Sequence, residues 1–381
     1  MTKFAKRINS FSNSIFGEMS ELTREYNAIN LGQGFPNMPG PNFVKEAARE
    51  AIANDFNQYA PPDGVFSLRK LIAANNQKYF NTKYSPNYEI TITAGATEAI
   101  FSTIHAFIES GDEVILFEPF YDAHDADVLL AGGTPRYVTL HKPDFTFDAD
   151  ELRKTVNKKT KMIIINTPHN PTGKVFSEEE LTIIANIAKE YDLIVMADEV
   201  YEYITYEKKH ISIASLPEMK ERTITISSCG KTFGMTGWKV GYVCTNGEFT
   251  RAIRKVHQWT IFSINTPGQH GFAEGFRQLD TYLPKKIEIY KNKRDLAIEI
   301  LKDSPFKPMN CYGAFYLMVD LPKGVYANDV DAAQKLIRNQ RVATIPPSSF
   351  YKKSDEGKSM LRICFAKDDD SLKDGLMRLQ K

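Results

Sequence analysis

Four short segments carry side chains with chemistry to offer, and each stands where an apolar run gives out. The run at 161–165 ends in "NTPHNPTG" (166–173), which contains Asn170. The run at 193–197 ends in "DEVY" (198–201), an aspartate and a tyrosine three residues apart. The run at 223–226 ends in "SSCGKTFGMTGWKVG" (227–241), which brings Lys231 and Lys239. A fourth run, 88–93, leads into "AGATEAI", a turn of small residues opening a helix, where backbone N–H groups at the positive end of the helix dipole suit an anion. Singly, each has an ordinary use. An aspartate at a strand end caps turns, a lysine between Gly230 and Thr232 solvates a surface, and "AGAT" allows close packing. "GQGFP" (32–36) lacks the third glycine of a dinucleotide fingerprint. Their convergence is what is unusual, because ligands of open parallel sheets sit beyond the carboxyl ends of the strands.

The elements that must position these residues can be read from texture. Seven short runs, 88–93, 113–119, 135–140, 161–168, 192–199, 223–228 and 240–245, are mostly rich in Ile and Val and apolar at consecutive positions. That is the pattern of strands buried on both faces. Helical patterns lie between them. "SEEELTIIANIAKEY" opens with a capping box, Ser177 with Glu180, and continues with Leu181, Ile184 and Ala188 at helical spacing. The alternation predicts an α/β fold, a mostly parallel seven-stranded sheet with helices on both faces. Beyond about residue 290 the mix changes: a charged stretch "YKNKRDLAIEILKDS", then "GAFYLMVDLP", a helix from Asp329 to Asn339, "VATIPPSSF" and "MLRICFAK". The expected division is a large domain over 44–290 and a smaller α+β domain from 1–43 and 291–381.

A lysine to bond an aldehyde, an acid for a pyridine nitrogen and a phosphate cradle together fit one cofactor, pyridoxal 5'-phosphate. "NTPHNPTG", "DEVY" and "SSCGKTFGMTGWKVGY" resemble the signatures of fold-type I, class I/II aminotransferases, and the likeness runs from "NLGQGFPNMPGP" (30–41) to "LRICFAK" (361–367). "NQYAPPDG", "TAGATEA" and "GWKVGY" bring it nearest to the branch holding kynurenine aminotransferases, glutamine transaminase K and methionine aminotransferases. The resemblance implies that Lys231 bonds the cofactor and moves the substrate α-proton. It places Asp198 at the pyridine nitrogen, Tyr201 and Asn170 at the phenolic oxygen, and Tyr121 on the ring. Ala96, Thr97, Ser228 and Lys239 would take the phosphate, and Tyr59 that of a neighbouring subunit in a homodimer. Arg362 would clamp the substrate carboxylate, where a planar fork suits two oxygens, with Gly34 and Phe16 lining the pocket. Three residues depart from the pattern or sit awkwardly in it. Lys239 replaces a frequent arginine, His169 takes a packing or turn role, and Glu98 stands in the first turn of a helix meant for a phosphate.

Substrate choice follows from what is missing. Dicarboxylate-specific relatives add a second arginine from the neighbouring subunit. The segment expected to cross the dimer, 256–270, has none and offers Trp259 and Phe262. Arg251 and Arg254, on "EFTRAIRKV", are read as facing solvent. Donors with neutral, apolar or aromatic side chains are therefore expected. The rival on the same fold is a cysteine-conjugate or cystathionine β-lyase, which needs no amino acceptor.

Composition excludes other classes. Lys and Arg total 48 against 47 Asp and Glu, so the net charge of +1 gives no general grip on nucleic acid or an acidic membrane. Four cysteines lie far apart, with no C-x-x-C pair and no H-E-x-x-H, so neither a metal site nor a disulfide framework is expected. No run reaches about 18 apolar residues and no signal core opens the chain. The reading is a cytoplasmic enzyme in a reducing compartment.

Overall fold

In a computed structural model that describes residues 4–8, 11 and 15–380, the apolar runs become strands whose side chains alternate between two covered faces. In chain order the strands are β1 (Ile29–Asn30), β2 (Ile90–Thr93), β3 (Glu113–Glu118), β4 (Thr134–Thr139), β5 (Thr160–Asn166), β6 (Ile194–Asp198) and β7 (Thr223–Ser228). They continue with β8 (Gly241–Cys244), β9 (Lys307–Pro308), β10 (Tyr316–Asp320), β11 (Val342–Ala343) and β12 (Met360–Cys364). Seven of them form one sheet in the order β2-β8-β7-β6-β5-β3-β4, parallel throughout except that β8 runs against both its neighbours. The period of two sorts its residues. Val114, Leu116, Ile164 and Ile226 pack with Ile100, Ile104 and Ile253 on one face. Ile115, Phe117, Ile163 and Val195 pack with Leu181, Ile184 and Ala188 on the other. The helix carrying those last three, Glu178–Glu190, starts in the expected capping box, with Ser177 and Glu180 each bonding the other's backbone N–H.

A second core gathers Met19 and Leu31 with Tyr290, Ala297, Phe315, Leu317, Ile337, Ile363 and Leu376. It is tied by β1 pairing parallel to β11 and by β10 lying between β12 and β9. One continuous helix, Leu279–Leu301, with Pro284 inside it, runs through position 290. The division expected there is thus no interruption of the chain. Its upstream turns bury Leu279 and Leu283 against the sheet-side core, and Tyr290, Ala297 and Leu301 enter the second. The helix expected from Asp329 is α only to Lys335 and then widens into a π turn, Leu336–Gln340.

The reading of Arg254 needs correction. Thr250, Ile253 and His257 are the buried side of helix Gly247–Thr260, and Arg254 lies four residues after the first and three before the last, on their flank. Its guanidinium reaches the edge strand, bonding Thr91 Oγ1 (2.9 Å) and the Ile90 carbonyl (2.8 Å), with Asp63 at 3.5 Å. Arg251 is exposed as expected. All four cysteines are free and buried, and among the described residues no helix is long and apolar enough to cross a membrane.

Candidate active site

The carboxyl ends of β5, β6 and β7 lie side by side. Asn166 is in register with Asp198, and Asp198 with Ile226, two residues before Ser228. They form the floor of a cavity of about 360 Å³. Twelve of the expected site residues line it: Phe16, Gly34, Ala96, Thr97, Tyr121, Asn170, Asp198, Tyr201, Ser228, Lys231, Lys239 and Arg362.

At one end is a cup. Helix Gly95–Phe107 begins without a side-chain cap, so its first N–H groups are open to a ligand. Gly95 has φ +71°, and Gly241 on β8 lets that turn approach. A Cβ at Gly241 would lie 2.6 Å from the Gly95 carbonyl carbon and 2.8 Å from Ala96 N. Lys239, itself at φ +51°, donates from Nζ to Thr97 Oγ1 at 3.1 Å. Glu98 does not threaten this cup, because its carboxylate is turned away. It accepts from Ala94 N (3.1 Å) and from Ser102, and faces His257 Nδ1 at 3.1 Å. Burial opposes a charged His257, but the hydrogen bond and charge of Glu98 prevail and raise its pKa.

In the middle, Asp198 accepts from Val200 N at 3.4 Å and lies 3.0 Å from His124 Nε2, which leaves its carboxylate oriented and buried. Lys231 Nζ donates to the Gly34 carbonyl at 3.0 Å. Burial brings its pKa down to about 8. At pH 7 about a tenth of such an amine is neutral, against about one part in three thousand for an ordinary lysine, so it is primed as nucleophile and base. Tyr201 and Tyr316 share a hydroxyl–hydroxyl bond of 2.9 Å, and burial raises both phenols.

At the far end Arg362 is 1% exposed. It donates to Asn170 Oδ1 (2.9 Å) and the Gly32 carbonyl (2.7 Å), with its carbon 4.4 Å from the Tyr316 ring centroid and 5.2 Å from that of Phe16. Its Nε has no hydrogen-bond partner among the described residues. A buried guanidinium with an unspent donor beside a cavity calls for an anion.

Tyr59 is the expected site residue that stays outside. It is 81% exposed, packs edge-on against Phe262, and lines a separate surface hollow with Phe56, Pro61 and His270. His169 is also away from the cavity. It is buried, 2.7 Å from Thr172 Oγ1, and kept neutral by burial, which takes its pKa to about 3. Sequence reasoning missed Tyr316, His124, Asn166 and Asp122. His124 had a local signal, three residues beyond Tyr121 in "YDAH"; Tyr316 had none, because its partners lie far away in the chain.

An open helix start beside a lysine, a buried carboxylate, a neutralisable lysine and a buried arginine can hold a phosphorylated ring and a carboxylate together. The family model for aminotransferase class I and II matches residues 26–379. A methionine aminotransferase of Escherichia coli is 36% identical, over 98% of this chain and 97% of its own. A kynurenine–oxoglutarate transaminase of Dictyostelium discoideum is also 36% identical, over 100% and 97%. The solved structure of N-succinyldiaminopimelate aminotransferase from Mycobacterium tuberculosis superposes with a TM-score of 0.96 at 37% identity, covering 99% of each chain. This chain belongs to the class I and II aminotransferase family. It is an enzyme that transfers amino groups.

Proposed function

We propose that the protein is a pyridoxal-phosphate-dependent aminotransferase of amino acids with neutral, apolar or aromatic side chains, working as a cytoplasmic homodimer. One observation carries the substrate reading. Among the described residues Arg362 is the single arginine of the cavity wall, and Phe16, Ile100, Tyr121, Val200 and Tyr316 supply the apolar surface beside it. Asp122 adds a carboxyl group, not a second cation. The exposed Tyr59 and Phe262, which pack against each other, and the exposed Trp259 (87%) support the homodimer, since large aromatic side chains left open to solvent suit an interface.

Lys231 would bond the cofactor aldehyde, with Asp198 at the ring nitrogen, Tyr121 on the ring, and Tyr201 and Asn170 at the phenolic oxygen. Ala96, Thr97, Ser228 and Lys239 would hold the phosphate, joined by the neighbour's copy of Tyr59. The bound cofactor supplies an electron sink for the substrate α-carbon. The chain's own residues do the rest. Arg362 fixes the carboxylate so that the α-proton faces Lys231, Lys231 removes and returns that proton, and the aromatic walls keep water from the pocket.

A donor panel with a 2-oxo acid acceptor tests this. An unpartnered buried carboxylate costs several kcal/mol, so kcat/KM for aspartate should fall about two orders of magnitude or more below methionine and phenylalanine. Aspartate equal to either overturns the substrate reading, and oxo-acid release without any acceptor would indicate the lyase. A second expectation concerns the cup. Gly241→Ala forces a methyl into the Gly95–Ala96 turn, which should cost about 1–3 kcal/mol of stability. It should also weaken cofactor binding at least tenfold in a fluorescence titration, and unchanged affinity would separate Gly241 from the phosphate site.

A further inference from the structure

The segment Gly32–Phe35 crosses the cavity mouth without joining any strand or helix. Its N–H groups at Gly32 and Gln33 go to Asn30 Oδ1, at 3.1 and 2.9 Å. Its four consecutive carbonyls all go to cationic side chains. Arg362 takes Gly32, Lys231 takes Gly34 at 3.0 Å, and Lys367 takes both Gln33 at 3.1 Å and Phe35 at 2.9 Å. Two of those cations belong to the site already described, and Lys367 has no part in it so far.

Lys367 is an expensive residue to keep where it is. It is 2% exposed and burial lowers its pKa. Its ammonium has no carboxylate in ion-pair contact among the described residues, the more distant charges of Arg362 and Asp368 act on it in opposite senses, and it lies 4.7 Å from the Phe35 ring centroid. A methionine of similar length would bury without that desolvation cost, so bulk stability does not explain a lysine here. What the ammonium does is bridge the two carbonyls flanking Gly34. That fixes the Gly34 peptide where the Lys231 amine meets it, with the glycine's open side against the Tyr316 hydroxyl. The strap also carries the pocket wall. The Gln33 side chain bonds the Phe16 carbonyl (3.2 Å) and the Ser20 hydroxyl, so helix Ile15–Glu25 and its Phe16 ring hang on it. Just beyond, Asn37 and Asp368 bond each other twice, side chain to side chain and Asp368 N to Asn37 Oδ1 at 2.6 Å.

We propose that Lys367 is a positioning residue of this active site. By bridging the Gln33 and Phe35 carbonyls it holds the strap that presents Gly34 to Lys231 and Phe16 to the substrate. The proposal rests on the aminotransferase reading and acts entirely through main chain, so Lys367 touches neither cofactor nor reacting atoms.

The test compares holoenzyme carrying Lys367→Met, Lys367→Arg and Asn37→Ala with wild type. Removing two charge-assisted bonds should raise KM for methionine and phenylalanine at least about tenfold, with kcat changed less. Cofactor content should stay at the wild-type level, since the cup lies at the other end of the cavity. Amide exchange should quicken over 32–36 and not over 227–232, and Lys367→Arg, which keeps bridging donors, should bring KM back towards wild type. Asn37→Ala, on the surface, should shift KM and exchange in the same direction by a smaller factor, and it carries the test if the methionine variant does not fold. Wild-type KM and wild-type exchange in a folded, loaded variant overturn the proposal. So does lost cofactor or a lowered melting temperature with KM unchanged, which would make the lysine merely structural. A wild-type enzyme inactive with every donor would defeat the functional reading instead, leaving the exchange measurement to judge the strap.

Discussion

Lys231→Ala should leave less than about a thousandth of wild-type kcat, since it deletes the group that both bonds the cofactor and carries the proton. The fold should survive. Lys231 sits in the four-residue helix Cys229–Thr232, whose other members are buried, and its side chain points into open cavity toward Gly34 and not into packed core. An ordinary lysine would be a poor base at neutral pH, but burial has brought this one to about 8. Borohydride reduction of the holoenzyme followed by peptide mapping should label Lys231. A label on Lys239 or any other lysine defeats the assignment, and so does an alanine variant with more than a few per cent of wild-type turnover.

Asp198→Asn should come next in severity. A carboxylate about 4 Å from a pyridinium at an effective dielectric of ~20 is worth roughly 4 kcal/mol. At 1.36 kcal/mol per unit that raises the ring pKa by about 3 units. The asparagine keeps volume and can still meet His124, so the change isolates charge. We expect kcat to fall by about two to three orders of magnitude, that being most of the lost stabilisation. The absorption band of the bound cofactor should also titrate at a different pH. Unchanged kcat would remove Asp198 from its place at the ring nitrogen.

How much of this was legible in the sequence depended on distance along the chain. The seven strands were visible because burial on both faces writes itself as consecutive apolar residues. The floor of the site was visible because Asn170, Asp198 and Lys231 stand at or just beyond the carboxyl ends of three of those strands. Arg362 emerged only through resemblance: nothing around "LRICF" announces a carboxylate clamp until β12 is seen to return to the Gly32 carbonyl. The same return hid Tyr316, which meets Tyr201 across 115 residues, and Lys367, which meets Gln33 across 334. Glu98 looked misplaced beside an anion site because the helix dipole was all that could be weighed. Its true counterpart, His257, lies 159 residues on. Arg254 was read by composition, whereas helical phase against Thr250, Ile253 and His257 would have put it on the covered side.

The helix Leu279–Leu301 has a mechanical consequence. At 1.5 Å per residue its 23 residues make a rod roughly 35 Å long, anchored at one end in the sheet-side core and along the rest in the other. Any tilt of one core against the other must be taken up as bending of that rod, because the chain offers no loose joint at this crossing. The bending stiffness is lowest where a backbone hydrogen bond is missing, and Pro284 removes one between Leu283 and Ile287, both of which pack against the first core. The rod therefore resembles a lever seated over Leu279–Ile287, with its softest point inside that seat. A small angular change there is multiplied along the remaining length into displacement of the body that carries Arg362 and the Gly32–Phe35 strap.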